Sequence, residues 1–150
     1  MNRLSRDPVA LLEAAREGQR LALARLMSLV ERGGDEARIL GALTYSQVGG
    51  AYTVGMTGAP GSGKSSLTAA LGSVVRSEDE RLAILAIDPS SPFTGGAILG
   101  DRVRMQDHVM DDGIYIRSMA TRGHLGGLSL ATPQAVRVLE AVGWAWVRSL

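Results

Sequence analysis

Apolar positions recur at helical spacing in three short stretches at the start of the chain. Asp7-Pro8 predicts a helix start, with Asp as N-cap and Pro in the first turn. Val9, Leu11, Leu12 and Ala15 carry that helix to a stop near Gly18. A second helix is predicted over 19–31, with Leu23, Leu26, Met27 and Val30 as its apolar stripe and Gly33-Gly34 as its end. A third segment, over 35–43, carries Ile39, Leu40 and Leu43. Residues 1–50 therefore read as a small helical cap packed on the domain that follows, with 44–50 as connector. The same stripes would also suit a partner-binding face. Packing is the plainer reading.

After residue 50 the pattern changes. Tyr52, Val54 and Met56 alternate within 51–56, which predicts a short buried strand. Helical spacing returns over 65–75, with Leu67, Leu71, Val74 and Val75 as its apolar positions, and 77–80 is a solvated turn. The unbroken apolar run over 82–87 suits a strand covered on both faces, as in a parallel sheet. Loop follows over 93–100, and Asp101 opens a short helix. Then come a turn at Asp111-Asp112-Gly113, a strand over 114–118 and a Gly-rich loop over 121–128. A helix over 131–142 turns Val136, Leu139 and Val142 to the core, and a strand opens over 144–147. Such alternation predicts an α/β domain over 51–150, built on a mostly parallel sheet between helical layers.

One stretch carries chemistry. Thr57-Gly58-Ala59-Pro60-Gly61-Ser62-Gly63-Lys64-Ser65-Ser66 fits G-x-x-x-x-G-K-[ST], the phosphate-loop pattern. Glycines let consecutive N–H groups turn inward around an anionic phosphate chain. The helix behind adds its free N–H groups and partial positive charge. Lys64 is placed to meet the β- and γ-phosphates and Ser65 to ligate Mg²⁺. The flanks, strand before and helix after, are what the pattern requires. Asp88 ends the apolar run, where parallel sheets gather ligands. It reads as a Mg²⁺ ligand, direct or through water; its other reading is a turn-forming Asp before Pro89.

Composition mostly excludes. Sixteen basic and fifteen acidic residues are interspersed, with a net charge of +1. Neither a nucleic-acid patch nor a membrane-surface stripe is predicted. No run is long enough to span a bilayer, and the amino terminus lacks the apolar core of a secretory signal. The absence of cysteine excludes disulfides and thiolate sites and fits a cytoplasmic protein. His108 and His124 have no ligand spacing to pair them, and Arg122 reads as a surface arginine. Lys64 is the only lysine in a chain that otherwise uses Arg, and it stands where a compact ammonium suits the chemistry.

Four stretches together carry a family resemblance. They are the Gly58-to-Leu67 loop; Ala86-Ile87-Asp88-Pro89-Ser90-Ser91; the run from Thr94-Gly95-Gly96 through Gly100-Asp101-Arg102 to Met105; and Gly123-His124-Leu125-Gly126-Gly127. With the helical amino-terminal segment, the chain resembles the MeaB/ArgK family of methylmalonyl-CoA mutase-associated GTPases, once labelled LAO/AO transport system ATPases. The resemblance implies a P-loop NTPase fold that binds and hydrolyses GTP with Mg²⁺. It implies a chaperone of an adenosylcobalamin-dependent mutase, dimeric in the intact family. Carried over, Gly58, Ala59, Pro60, Gly61, Ser62, Gly63, Lys64, Ser65 and Ser66 would hold GTP or GDP. Lys64 would stabilise the reacting phosphates, and Ser65, Asp88 and Asp101 would surround the metal, with Asp101 in a segment that senses the γ-phosphate.

The chain also departs from the family. After 144–147 no acidic Glu-Thr-x-Gly-x-Gly-like turn follows, and with Lys64 the sole lysine there is no guanine-reading Asn-Lys-x-Asp. The dimerisation region is missing as well. The expectation is thus a truncated GTPase domain that keeps phosphate affinity, with apolar surface left uncovered. The alternatives are a non-enzymatic remnant that engages a partner, or another P-loop enzyme such as a small-molecule kinase. A kinase would need an Arg-rich lid, and none follows.

Overall fold

The computed structural model describes residues 6–47, 49–88, 110–120 and 131–149, with 88, 120, 148 and 149 described by backbone alone. In chain order the elements are α1 (Pro8–Arg16), α2 (Arg20–Arg32), α3 (Asp35–Tyr45), β1 (Tyr52–Gly55), α4 (Lys64–Ser77), β2 (Leu82–Asp88), β3 (Ile114–Ala120), α5 (Thr132–Ala141) and β4 (Trp146–Ser149). They form two compact units: α1–α3 with α5, and the strands with α4.

In the helical unit, the Asp7 carboxylate accepts the Val9 N–H at 3.2 Å, the N-cap bond the sequence predicts. Leu23, Leu26, Met27 and Val30 are buried along α2, as their spacing demands. α2 packs on α1, which buries Leu11, Leu12 and Ala15, and on α3, which fully buries Leu40. Val9 and Ile39, read as core positions, are 42% and 47% exposed. Each stands beside the packed stripe of its helix, and a one-position offset is 100° on a helix. The α5 helix joins α2 and α3 in this unit. It buries Ala135, Val138 and Leu139, and Val136 is only partly covered. The Gln134 side chain also donates to the Ala37 carbonyl of α3.

The second unit is an all-parallel sheet of order β1-β4-β2-β3. The last strand in sequence is therefore inserted between the first two. β2 pairs with β3 from Leu82↔Ile114 to Asp88↔Ala120. Flanked on both edges, it buries Leu82, Ala83, Ile84 and Leu85 to 1% exposure or less, as the unbroken apolar run predicts. Val75 of α4 packs with Leu82, Ile84 and Ile114, joined by Leu71, Ile116 and Trp146. Burying each of those aliphatic side chains contributes about 1.5–3 kcal/mol.

Two expectations are corrected in this unit. The strand at Tyr52 was expected to be buried. β1 instead lies at the sheet edge with β4 as its neighbour, and Tyr52 is 66% exposed, one ring face stacked on Trp146 at 4.8 Å. On α4 the expected stripe included Leu67 and Val74, which are 57% and 61% exposed. Leu71 and Val75 of that stripe do pack, beside the buried Thr68 and Gly72. Small residues there bring the helix close to the sheet, and Thr68 satisfies its buried hydroxyl on the Lys64 carbonyl at 2.7 Å.

The far end of α4 is fastened by one arginine. Arg76 Nε donates to Asp111 Oδ2 at 2.9 Å and Nη1 to the Glu80 carbonyl at 2.8 Å. Asp111 Oδ1 also accepts the Gly113 N–H at 2.8 Å, closing the turn into β3. The hydrogen bond to Asp111, opposed by burial and helped by the charges of Asp111 and Asp79, raises the Arg76 pKa and keeps it cationic. A Cβ on Gly113 would collide with the guanidinium. Gly113→Ala is therefore expected to push the guanidinium off Asp111 and cost about 0.5–1 kcal/mol in urea unfolding. Arg76→Ala should absorb most of that cost in the double variant, because it removes the colliding group.

Candidate functional site

The phosphate loop spans the gap between the carboxyl end of β1 and the amino end of α4. β1 runs parallel to β4 and β4 to β2, so all three carboxyl ends face the same way. Gly55 and Leu85 both pair with Ser149, which sets the levels of the three strands. Asp88 lies three residues further along β2, on the loop's end of the sheet. Neighbouring strands are ~4.8 Å apart, so β2 and β1 lie about 10 Å apart with β4 between them.

The loop's own geometry is set by its backbone. The Ser62 N–H donates to the Ala59 carbonyl at 3.2 Å, a tight turn around Pro60-Gly61. Gly63 is the N-cap of α4 with φ 91°, in the left-handed region where side chains are strained. Its carbonyl accepts the Leu67 N–H at 2.9 Å, the first bond of the helix. No side chain caps this helix and its first turn holds no acid. Its partial positive charge therefore faces the loop with no acid of its own first turn to offset it.

Lys64 is held from below. Its ammonium donates to the Gly58 carbonyl at 2.6 Å and to the Ala59 carbonyl at 2.9 Å. Two bonds from one flexible side chain fix where its charge sits, and an ammonium carries three protons. Gly58 and Lys64 are thus tied across the loop, while 57–63 remain solvent-exposed. A tethered cation thus stands beside an uncapped helix start, the pairing of charge and free backbone donors that suits an anion.

The residues read from the sequence fall out as follows. Gly58, Ala59, Pro60, Gly61, Ser62 and Gly63 form the loop, and Lys64, Ser65 and Ser66 open α4. Asp88 is the last residue of β2, known by its backbone. Asp101, His108, Arg122, His124 and the 94–105 and 123–127 motifs lie outside the described residues. Sequence reading missed that β4 stands between the loop strand and the Asp88 strand. Both flanking patterns in sequence suited β1-β2 neighbours equally well.

Known proteins decide the family. A profile described as "Methylmalonyl Co-A mutase-associated GTPase MeaB" matches residues 23–148. The chain belongs to that family. GTPase ArgK of Escherichia coli K12 is 38% identical over 133 residues, covering 86% of this chain and 40% of its own. A protein of Pyrococcus abyssi named as a GTPase is 53% identical, covering 89% of this chain and 41% of its own. The mouse mitochondrial methylmalonic aciduria type A homolog is 34% identical, covering 85% of this chain and 34% of its own. The chain thus spans about two fifths of the length of the first two and one third of the mouse protein.

Gly63→Ala places a side chain in the left-handed region and is expected to cost about 1–2 kcal/mol, read by equilibrium unfolding. Open space surrounds that position. An unchanged midpoint would mean that the loop adopts another backbone path.

Proposed function

We propose that this chain binds the phosphates of GTP and GDP with Mg²⁺, as the nucleotide-binding part of a GTP hydrolase that chaperones an adenosylcobalamin-dependent acyl-CoA mutase. The observation that carries the reading is the Lys64 ammonium, tethered to Gly58 and Ala59 at the uncapped start of α4. It supports phosphate binding because the positive charge is already in place and needs no reorganisation when the anion arrives. The mutase and its cobalamin enter through family membership, and the cytoplasm through the cysteine-free composition.

Within that reading Lys64 neutralises charge on the β- and γ-phosphates. The loop amides and the first turn of α4 hold the phosphate chain in one orientation. Ser65 and Asp88, with Asp101, offer hard oxygen donors of the kind Mg²⁺ prefers. Mg²⁺, when bound, supplies further charge neutralisation on the phosphates. Among the described residues, no helix is long and apolar enough to cross a membrane.

Thermal unfolding with Mg²⁺ and GTP, GDP or ATP tests the reading. Nucleotide at about a hundred times its Kd should stabilise the chain by roughly 2.7 kcal/mol if it binds only the folded form. Lys64→Ala should abolish the shift, and equal shifts in variant and parent would refute the phosphate site. Chelating Mg²⁺ should weaken the GTP effect, and Ser65→Ala should remove only that metal-dependent part. Phosphate release from GTP, absent in Lys64→Ala, separates a hydrolase from a binding module. A shift with ATP equal to that with GTP would deny guanine selectivity.

A further inference from the structure

The strand that carries the phosphate loop is short and pairs with β4 over four residues. Parallel strands have no hairpin to hold them in register. Something else must fix where β1 begins beside β4. A one-residue slip would turn Tyr52 and Val54 to the opposite face and displace the loop by ~3.3 Å.

A carboxylate lies just ahead of that starting point. Glu140, in the last turn of α5, directs one oxygen at two successive backbone amides. Its Oε1 accepts the Gly49 N–H at 2.5 Å and the Gly50 N–H at 2.6 Å. Consecutive N–H groups converging on one anion form a nest, and charge-assisted bonds of this kind are roughly twice as strong as neutral ones. Gly49 has φ 125°, and the space around its missing Cβ is open. Glycine is therefore required there for the backbone conformation and not for room. Arg16 reinforces the same place from α1: Nε donates to the Ala141 carbonyl at 3.2 Å and Nη2 donates to Gln47 Oε1. The two chain segments joined here run on as β1 and β4, and the Tyr52 N–H donates to the Ala145 carbonyl at 2.9 Å.

We propose that Glu140 is a positioning residue for the phosphate loop. Its carboxylate clasps the Gly49 and Gly50 amides and so sets the register in which β1 starts against β4. The effect on nucleotide rests on the function proposed above; the clasp itself does not.

Four variants of the chain test it: Glu140→Ala, Glu140→Gln, Gly49→Ala and, as control, Leu40→Ala. The first readout is amide hydrogen exchange of β1 without nucleotide. Glu140→Ala and Gly49→Ala should each speed it by about tenfold or more, the least expected when hydrogen bonds to a charged group are lost. Combined, they should do no more than the larger single change, because both remove one interaction. Glu140→Gln keeps an acceptor oxygen and should retain most of the protection. Leu40→Ala should lower the melting temperature and leave β1 exchange as it was. The second readout is the Kd for Mg²⁺-GDP, expected to weaken about tenfold in Glu140→Ala and Gly49→Ala alone. Parental β1 exchange in Glu140→Ala, additive single effects, or an equal response in Leu40→Ala would overturn the clasp. A parent chain that binds no GDP would refute the nucleotide reading, and exchange would still decide the clasp.

Discussion

Everything at the phosphate end of the sheet depends on β4 lying between β1 and β2. A phosphate loop works only if the strand before it and the helix after it are both fixed. Here α4 is fixed by Val75 against Leu82, Ile84 and Ile114. Among the described residues β1 is an edge strand whose sheet contact is the four-residue ladder to β4. The same β4 continues the ladder onto β2, at whose end Asp88 stands. One four-residue strand thus relates the loop after β1 to the end of β2, where Asp88 stands.

The site is built from backbone more than from side chains. Gly63 supplies a left-handed turn, α4 supplies the amides of a first turn that its N-cap side chain does not bond, and the Gly58 and Ala59 carbonyls take two protons of Lys64. Groups of this kind are already oriented in the folded chain, so little ordering remains for a ligand to impose. At the opposite end of α4 the same economy appears in charged form. Arg76 joins the helix end, the Glu80 carbonyl and the Asp111 turn, with both members of the ion pair partly shielded from water. That setting makes the pair stronger than a fully solvated one.

Local chemistry was legible before the structure. The Asp7 cap, the apolar face of α2, the doubly covered run at 82–87 and the phosphate loop each follow from neighbours within one or two turns of chain. Features that depend on remote pairing were not. No periodicity tells that Trp146 pairs with both Tyr52 and Leu82, and this order makes β1 an edge and leaves Tyr52 exposed. Leu67 and Val74 are apolar at helical spacing, yet Thr68 and Gly72 are what the sheet accepts, since close approach favours small side chains. Nothing local marks Glu140 or Arg76, because their partners at Gly49, Gly50 and Asp111 are far away in sequence.

The sheet order also fixes a timetable. β2 and β3 pair with each other and pack on α4, so that core can close as soon as β3 has been made. β1, although it is made before β2 and β3, pairs among the described residues with Trp146–Ser149 and must wait for that strand to emerge. Contacts that distant in sequence form late, after the loop-closure entropy has been overcome. The phosphate loop would then take shape only after β4 has been made, long after its own residues have emerged.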